Sequence, residues 1–250
     1  MSSKNSMNVC PDYNWESYSY NTDSGPVIVG FHTDSNKIEQ SKYPVCARVL
    51  ITIKAPNQNG GPSQDEAQVL WEMEDRLVEL LNAEHAPCLL LGRLTHSGTR
   101  ELVFQVADYA PFRPPVGRWI REHGDYETNV SEHDGWDFFF ASVWPSATSW
   151  ALIFDRRVVD NLVQAGSDPS KPHSLEFVFR GNIGGLEQMY AALTAKGYSL
   201  LEASAAEFRL VMARSMPLDV GAIFRESLSH REACQRLNIE YDGWGASVVT

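Results

Sequence analysis

The chain has 250 residues, 43% of them hydrophobic, enough for one large globular domain or two ordinary ones. The net charge is −11. The longest apolar runs, such as residues 88–91 and 151–154, fall far short of the roughly 18 residues a membrane helix needs. These values exclude a disordered chain and argue against a helical membrane protein and against a nucleic-acid binder that works through an overall basic surface.

Residues 1–24 are polar and aromatic, with Trp15, Tyr18 and Tyr20, and read as a loose arm or an edge strand. Met1–Asn8 has one Lys and no apolar core, so no secretory leader is expected. The four Cys lack any CxxC pair and read as reduced thiols of a cytoplasmic protein. Residues 26–32 (PVIVGFH) and 46–54 (CARVLITIK) alternate like strands. After the breaker-rich 56–62 (PNQNGGP), Ser63 and Glu66 form a capping-box pattern. It opens a helix to about residue 84, with Leu70, Met73, Leu77, Leu80 and Leu81 on one face. Residues 88–95 and 101–107 predict two strands joined around Ser97-Gly98. Residues 111–123 form a short helix that begins with prolines, where proline is tolerated. A strand at 126–130 leads through His133-Asp134-Gly135-Trp136 into Phe138-Phe139-Phe140.

The second half repeats the order. Residues 155–164 are a helix or connector and 166–173 (GSDPSKPH) a polar break. Then come a strand at 174–179, a helix at 184–196 stopped by Gly197, strands at 198–203 and 207–213, and a helix capped by Asp219 and reaching about Leu237. A last strand, 239–241, is broken by Asp242-Gly243-Trp244-Gly245. Each half reads β-α-β-β-α-β. The expected fold is therefore α+β: two ferredoxin-like (split βαβ) α/β sandwich domains in tandem, with antiparallel sheets. The division falls at 1–155 and 156–250. Charge shifts there too: residues 1–155 carry 11 basic and 21 acidic side chains, residues 156–250 carry 10 and 11.

Candidate chemistry is sparse. His85, Cys88 and His96 have no second pair at metal-ligand spacing. His230 and Cys234, four apart on one helix, read as a surface histidine and a core thiol. No metal site, no cofactor and no catalytic constellation is expected: GxSxG, P-loop and HExxH patterns are absent. If a pocket exists, His96, His133 and Trp136 of the first half are where to seek it. Trp244, between two glycines, is either a core residue locked by a turn or an exposed anchor. The partner-binding candidates are Asp242, Gly243 and Trp244, with Arg225 and Arg231 on the preceding helix, where Glu226 and His230 are also expected to be exposed.

Residues 238–246 (NIEYDGWGA), with 161–169 (NLVQAGSDP), Lys196-Gly197-Tyr198 and the helix before Leu237, resemble the regulator of ribonuclease activity B family over 156–249. The first half resembles a bacterial family of unknown function often fused ahead of that domain. The residues carrying this are Tyr43-Pro44, the 63–81 helix, 92–101 (GRLTHSGTRE) and 136–145 (WDFFFASVWP). The resemblance implies an α+β sandwich and a bacterial, non-enzymatic protein that binds ribonuclease E and modulates RNA decay. It also implies strong acidity, which this chain carries in its first half. Three readings follow: a protein-binding regulator, a small-molecule binder or enzyme with a site in the N-terminal or interdomain cleft, and an RNA-binding module, which the net −11 disfavours.

Overall fold

The computed structural model describes Val9 and residues 14–250; the leader reading of Met1–Asn8 and the thiol of Cys10 lie outside the described residues. The chain divides into two compact units, Met1–Ser146 and Ala147–Thr250. Among the described residues no helix is long and apolar enough to cross a membrane.

In unit 1 the alternation of β3 (Val45–Thr52) puts Ala47, Val49 and Ile51 into one core. The helix α1 (Gln64–Ala83) lays Leu70, Met73, Leu77 and Leu81 over them. Ser63 accepts the Glu66 N–H at 3.2 Å, as the capping box requires, but the Glu66 carboxylate turns instead to the backbone N–H groups of Lys54 and Ala55. Strands β4 (Cys88–His96) and β5 (Thr99–Val106) meet at Ser97-Gly98, both at positive φ, which gives the tight hairpin its twist. The helix α2 (Tyr109–Glu122) starts at the Asp108 cap and buries Trp119, whose Nε1 donates to the Met73 carbonyl at 2.7 Å and locks α2 to α1. Strand β6 (Thr128–Asp134) completes β6-β3-β5-β4, the split βαβ order, and the hairpin of β1 (Trp15–Thr22) and β2 (Gly25–His32) extends it beyond β4. The Phe138–Phe140 run forms a π-helical turn, Phe139–Val143, on the other face of the sheet. It lies so close to β4 that a Cβ on Gly92 would come within 2.5 Å of Val143. With both faces covered, β4 is buried almost without interruption.

Unit 2 begins with α3 (Ala147–Gln164), a full helix that starts eight residues before the expected one and packs along α5 (Val220–Leu237). Strands β7 (His173–Gly181), β8 (Ser199–Ser204), β9 (Arg209–Met216) and β10 (Ile239–Gly245) form an antiparallel sheet in the order β10-β7-β9-β8, matching β6-β3-β5-β4. Leu175, Phe177 and Phe179 alternate into the core beneath α5 and α4 (Ile183–Ala195), with Met189, Leu193, Ile223 and Cys234.

Candidate functional site

The signature tripeptide of unit 2 is not the expected turn. Strand β10 runs through it, with the register against β7 shifting between Tyr241 and Gly243 so that Asp242 sits in a bulge. Gly243, at φ +100°, makes that bulge possible. Beyond it Trp244 is back in register opposite Phe177, half-buried against the core. Its Nε1 donates to the Asp155 carboxylate at 2.8 Å. Asp155 is buried on α3 and also accepts from Ser227 Oγ at 3.2 Å, and Ser227 lies 3.2 Å from the Tyr241 hydroxyl. Burial raises the Asp155 pKa; the bonds from Trp244 and Ser227 oppose that rise. Asp155 escaped the sequence reading, yet it stands one helical turn from buried Ala151 and Val159, on the same face.

His230 corrects a second expectation. It is 2% exposed, enclosed by Phe177, Phe179, Tyr198 and Tyr241 at ring distances from 4.8 to 5.7 Å. Burial pushes its pKa down to about 4. Ile223, Ser227, His230 and Cys234 form the buried stripe of α5, a spacing that outweighs the polarity of the histidine. Glu226 reaches sideways to the Tyr198 hydroxyl at 2.7 Å and pairs with Arg214. The other expected surface residues divide. Arg225 is exposed. Arg231 lies 5.2 Å from the Tyr241 ring and lines a shallow depression with it. Exposed Asp242 is paired with Arg180 at 2.8 Å.

At the opposite sheet edge, α4 and β8 leave an apolar groove of about 270 Å³. Nothing in the alternation of residues 198–203 signalled it.

In unit 1 a depression of about 520 Å³ with a mixed polar and apolar lining is formed by Tyr20, Arg48, His96, Glu101, Phe138 and Ser142, among others. The nearly inaccessible Glu101 pairs with Arg48 and stands 3.9 Å from His96 Nε2. Arg48 lies over the Phe138 ring at 4.0 Å and 3.3 Å from His133 Nε2. His96 and His133 thus meet the same Arg48–Glu101 pair. Trp136 does not line the depression: it is 5% exposed, and its Nε1 donates to the Tyr43 carbonyl at 2.9 Å. Cys46, Cys88 and Cys234 are buried free thiols whose pKa burial raises to about 11, 12 and 11, which removes their nucleophilic form at neutral pH.

Comparison with known proteins divides the chain into the same two parts. Residues 13–142 match the model of a family of unknown function (DUF695), and residues 152–246 match the model of Regulator of ribonuclease activity B. A Regulator of ribonuclease activity B from Pseudoalteromonas atlantica is 27% identical over 104 residues, covering 38% of this chain and 89% of that protein. A crystal structure of an unknown protein from Galdieria sulphuraria aligns with 82% of this chain and 99% of its own, at 12% identity and a TM-score of 0.22.

Proposed function

Given that the chain belongs to the family of unknown function (DUF695) through residues 13–142 of its 250, and that residues 152–246 are similar to Regulator of ribonuclease activity B, we propose that it is a non-catalytic regulator that binds a ribonuclease through unit 2. One observation carries this reading. Two polar groups that unit 2 buries are turned to its own interior: one carboxylate oxygen of Asp155 accepts from Trp244 and Ser227, and His230 sits inside an aromatic box. That arrangement suits a scaffold presenting a surface rather than a reacting centre. Arg225, Arg231 and Asp242 contribute charge to that surface, while Gly243 and Trp244 shape the sheet edge beneath it. The net −11 favours a protein partner over direct contact with RNA.

The test is cleavage of an end-labelled RNA by purified ribonuclease E with and without the full chain, at about 0.15 M salt. Slower or redirected cleavage, with the chain co-sedimenting with the enzyme and not with RNA, supports the reading. Unchanged cleavage, or tight salt-resistant binding to RNA alone, defeats it.

The gathering of His96 and His133 on the Arg48–Glu101 pair supports a second reading, that unit 1 holds a small polar ligand in the adjoining depression. A small-molecule thermal-shift screen of the full chain and of Arg48→Met tests it. A ligand that stabilises both equally lies elsewhere.

A further inference from the structure

Strand β8 is an edge strand of its sheet, opposite β10. Its register against β9 shifts between Leu200 and Glu202, and the bulge breaks the alternation that would hide one of two adjacent leucines. Leu200 and Leu201 are consequently 46% and 52% exposed. Ile183 and Tyr190 of α4, 49% and 41% exposed, line one groove with Leu200. Large apolar side chains are not normally left in one such patch without a partner. The groove between α4 and β8 is walled by Ile183, Leu186, Tyr190, Leu200, Ala203 and Leu210. Its roughly 270 Å³ falls below the about 300–1,000 Å³ of small-ligand pockets, and suits one or two side chains of a larger partner. The charges on its rim are acidic. Glu187 is exposed on the wall, Glu207 is exposed in the adjoining turn, and the one lining cation, Arg209, is occupied by Glu202.

We propose that the α4–β8 groove docks a peptide segment of the partner protein that combines apolar anchors with Lys or Arg. The apolar side chains fill the groove and the basic ones meet Glu187 and Glu207. This rests on the regulator reading and adds the surface and the chemistry of the partner. A second copy of the chain is the poorer occupant, since two grooves brought together would gather Glu187 and Glu207 of both copies and supply no free lining cation to meet them. The bulge also spoils flush edge-to-edge pairing. RNA would bring its phosphates against the same acidic rim.

The experiment uses the full chain and three fluorescent peptides of roughly 12 residues. One alternates Leu or Val with Lys, one alternates the same apolar residues with Glu, and one keeps the Lys but has Ser in place of the apolar residues. Anisotropy is expected to show binding of the first alone. Leu200→Ser with Tyr190→Ser, both lining the groove and exposed enough to leave folding intact by circular dichroism, should weaken it about tenfold or more. Glu187→Lys with Glu207→Lys should move the preference to the acidic peptide. Equal binding of the Lys-Ser peptide, no binding of any peptide, or indifference to the substitutions overturns the proposal. So does a dimer in sedimentation that Leu200→Ser dissociates. The two readings fail separately. If Leu200→Ser with Tyr190→Ser still slows ribonuclease E like the unaltered chain, the groove is wrong and the regulator stands. If the peptides bind as expected while the chain leaves ribonuclease E untouched, the regulator is wrong and the groove stands.

Discussion

The two Asp-Gly-Trp tripeptides occupy equivalent places, each at the last strand of a β-α-β-β-α-β set, and come to different ends. At Asp134-Gly135-Trp136 strand β6 stops, Gly135 turns the chain at φ +78°, and the indole is sealed in the core with its N–H on a backbone carbonyl. At Asp242-Gly243-Trp244 the strand continues through a bulge, and the indole stays half-buried with its N–H on a buried carboxylate. The same three residues serve opposite purposes because the partner of the indole nitrogen differs. A carbonyl of the loop before β3 draws Trp136 inward. Asp155, on a helix that unit 1 has no equivalent of in its β-α-β-β-α-β set, holds Trp244 at the sheet edge. At this strand end unit 1 is thereby closed by a buried indole on a backbone carbonyl, and unit 2 by a network of polar side chains.

The comparison predicts its largest effect at Trp136. Trp136→Ala should cost about 3–5 kcal/mol in urea denaturation of the full chain, since it empties a packed site. A loss under about 1 kcal/mol would mean that the two tryptophans are equally peripheral.

The polar interior of unit 2 should appear as pH dependence. His230 is held neutral in the fold, with its pKa at about 4 against 6.5 for the free side chain. Its contribution is present above pH 6.5 and is lost as pH falls through about 4, an amount of about 3 kcal/mol. His230→Phe should remove that part of the acid sensitivity. Parallel loss of stability by both proteins between pH 7 and 4 would show that the histidine is not the titrating group.

A smaller change is expected at Trp244. Trp244→Phe keeps the ring and removes the donor, leaving buried Asp155 with one bond fewer, for a loss of about 1–2 kcal/mol. If the cost equals that of Trp136→Ala, the carboxylate is not what separates the two sites.

The smallest effect belongs to Asp155→Asn. Because burial raises the Asp155 pKa, its favourable contribution is present below 3.8 and is lost as pH rises through the raised value. Asn still accepts from Trp244 and Ser227, so at pH 7 stability should be unchanged or higher by less than about 1 kcal/mol. That advantage should shrink toward pH 4. A loss of several kcal/mol at pH 7 would mean the network needs the ionised carboxylate.

Periodicity and punctuation carried the elements far. The leucine face of α1, the Ser63 and Asp219 caps and the Ser97-Gly98 hairpin are local features, decided by neighbours a few residues away. The α+β class and the repeated order followed from them, and the regulator resemblance from short motifs of unit 2. The candidate sites were less legible. The polarity of His230 argued for solvent, but the chain sets it in a buried stripe where four rings displace water at once. The Asp242-Gly243 pair argued for a turn, but pairing with β7 through a bulge keeps the strand going. The β8 groove needs two segments, α4 and an edge strand, whose exposure follows from which strand pairs with which.

The sequence by itself determined most of the strands and helices, which stripe of each is apolar, and the order of elements that the two halves share. Those properties depend on backbone sterics and on spacing along the chain. Only the tertiary structure decided which polar side chains the stripes carry inward, which tryptophan is sealed and which is tethered, and which sheet edge is left open. Those outcomes depend on the partner that each polar group finds across the fold, and on the cost of burying one that finds none.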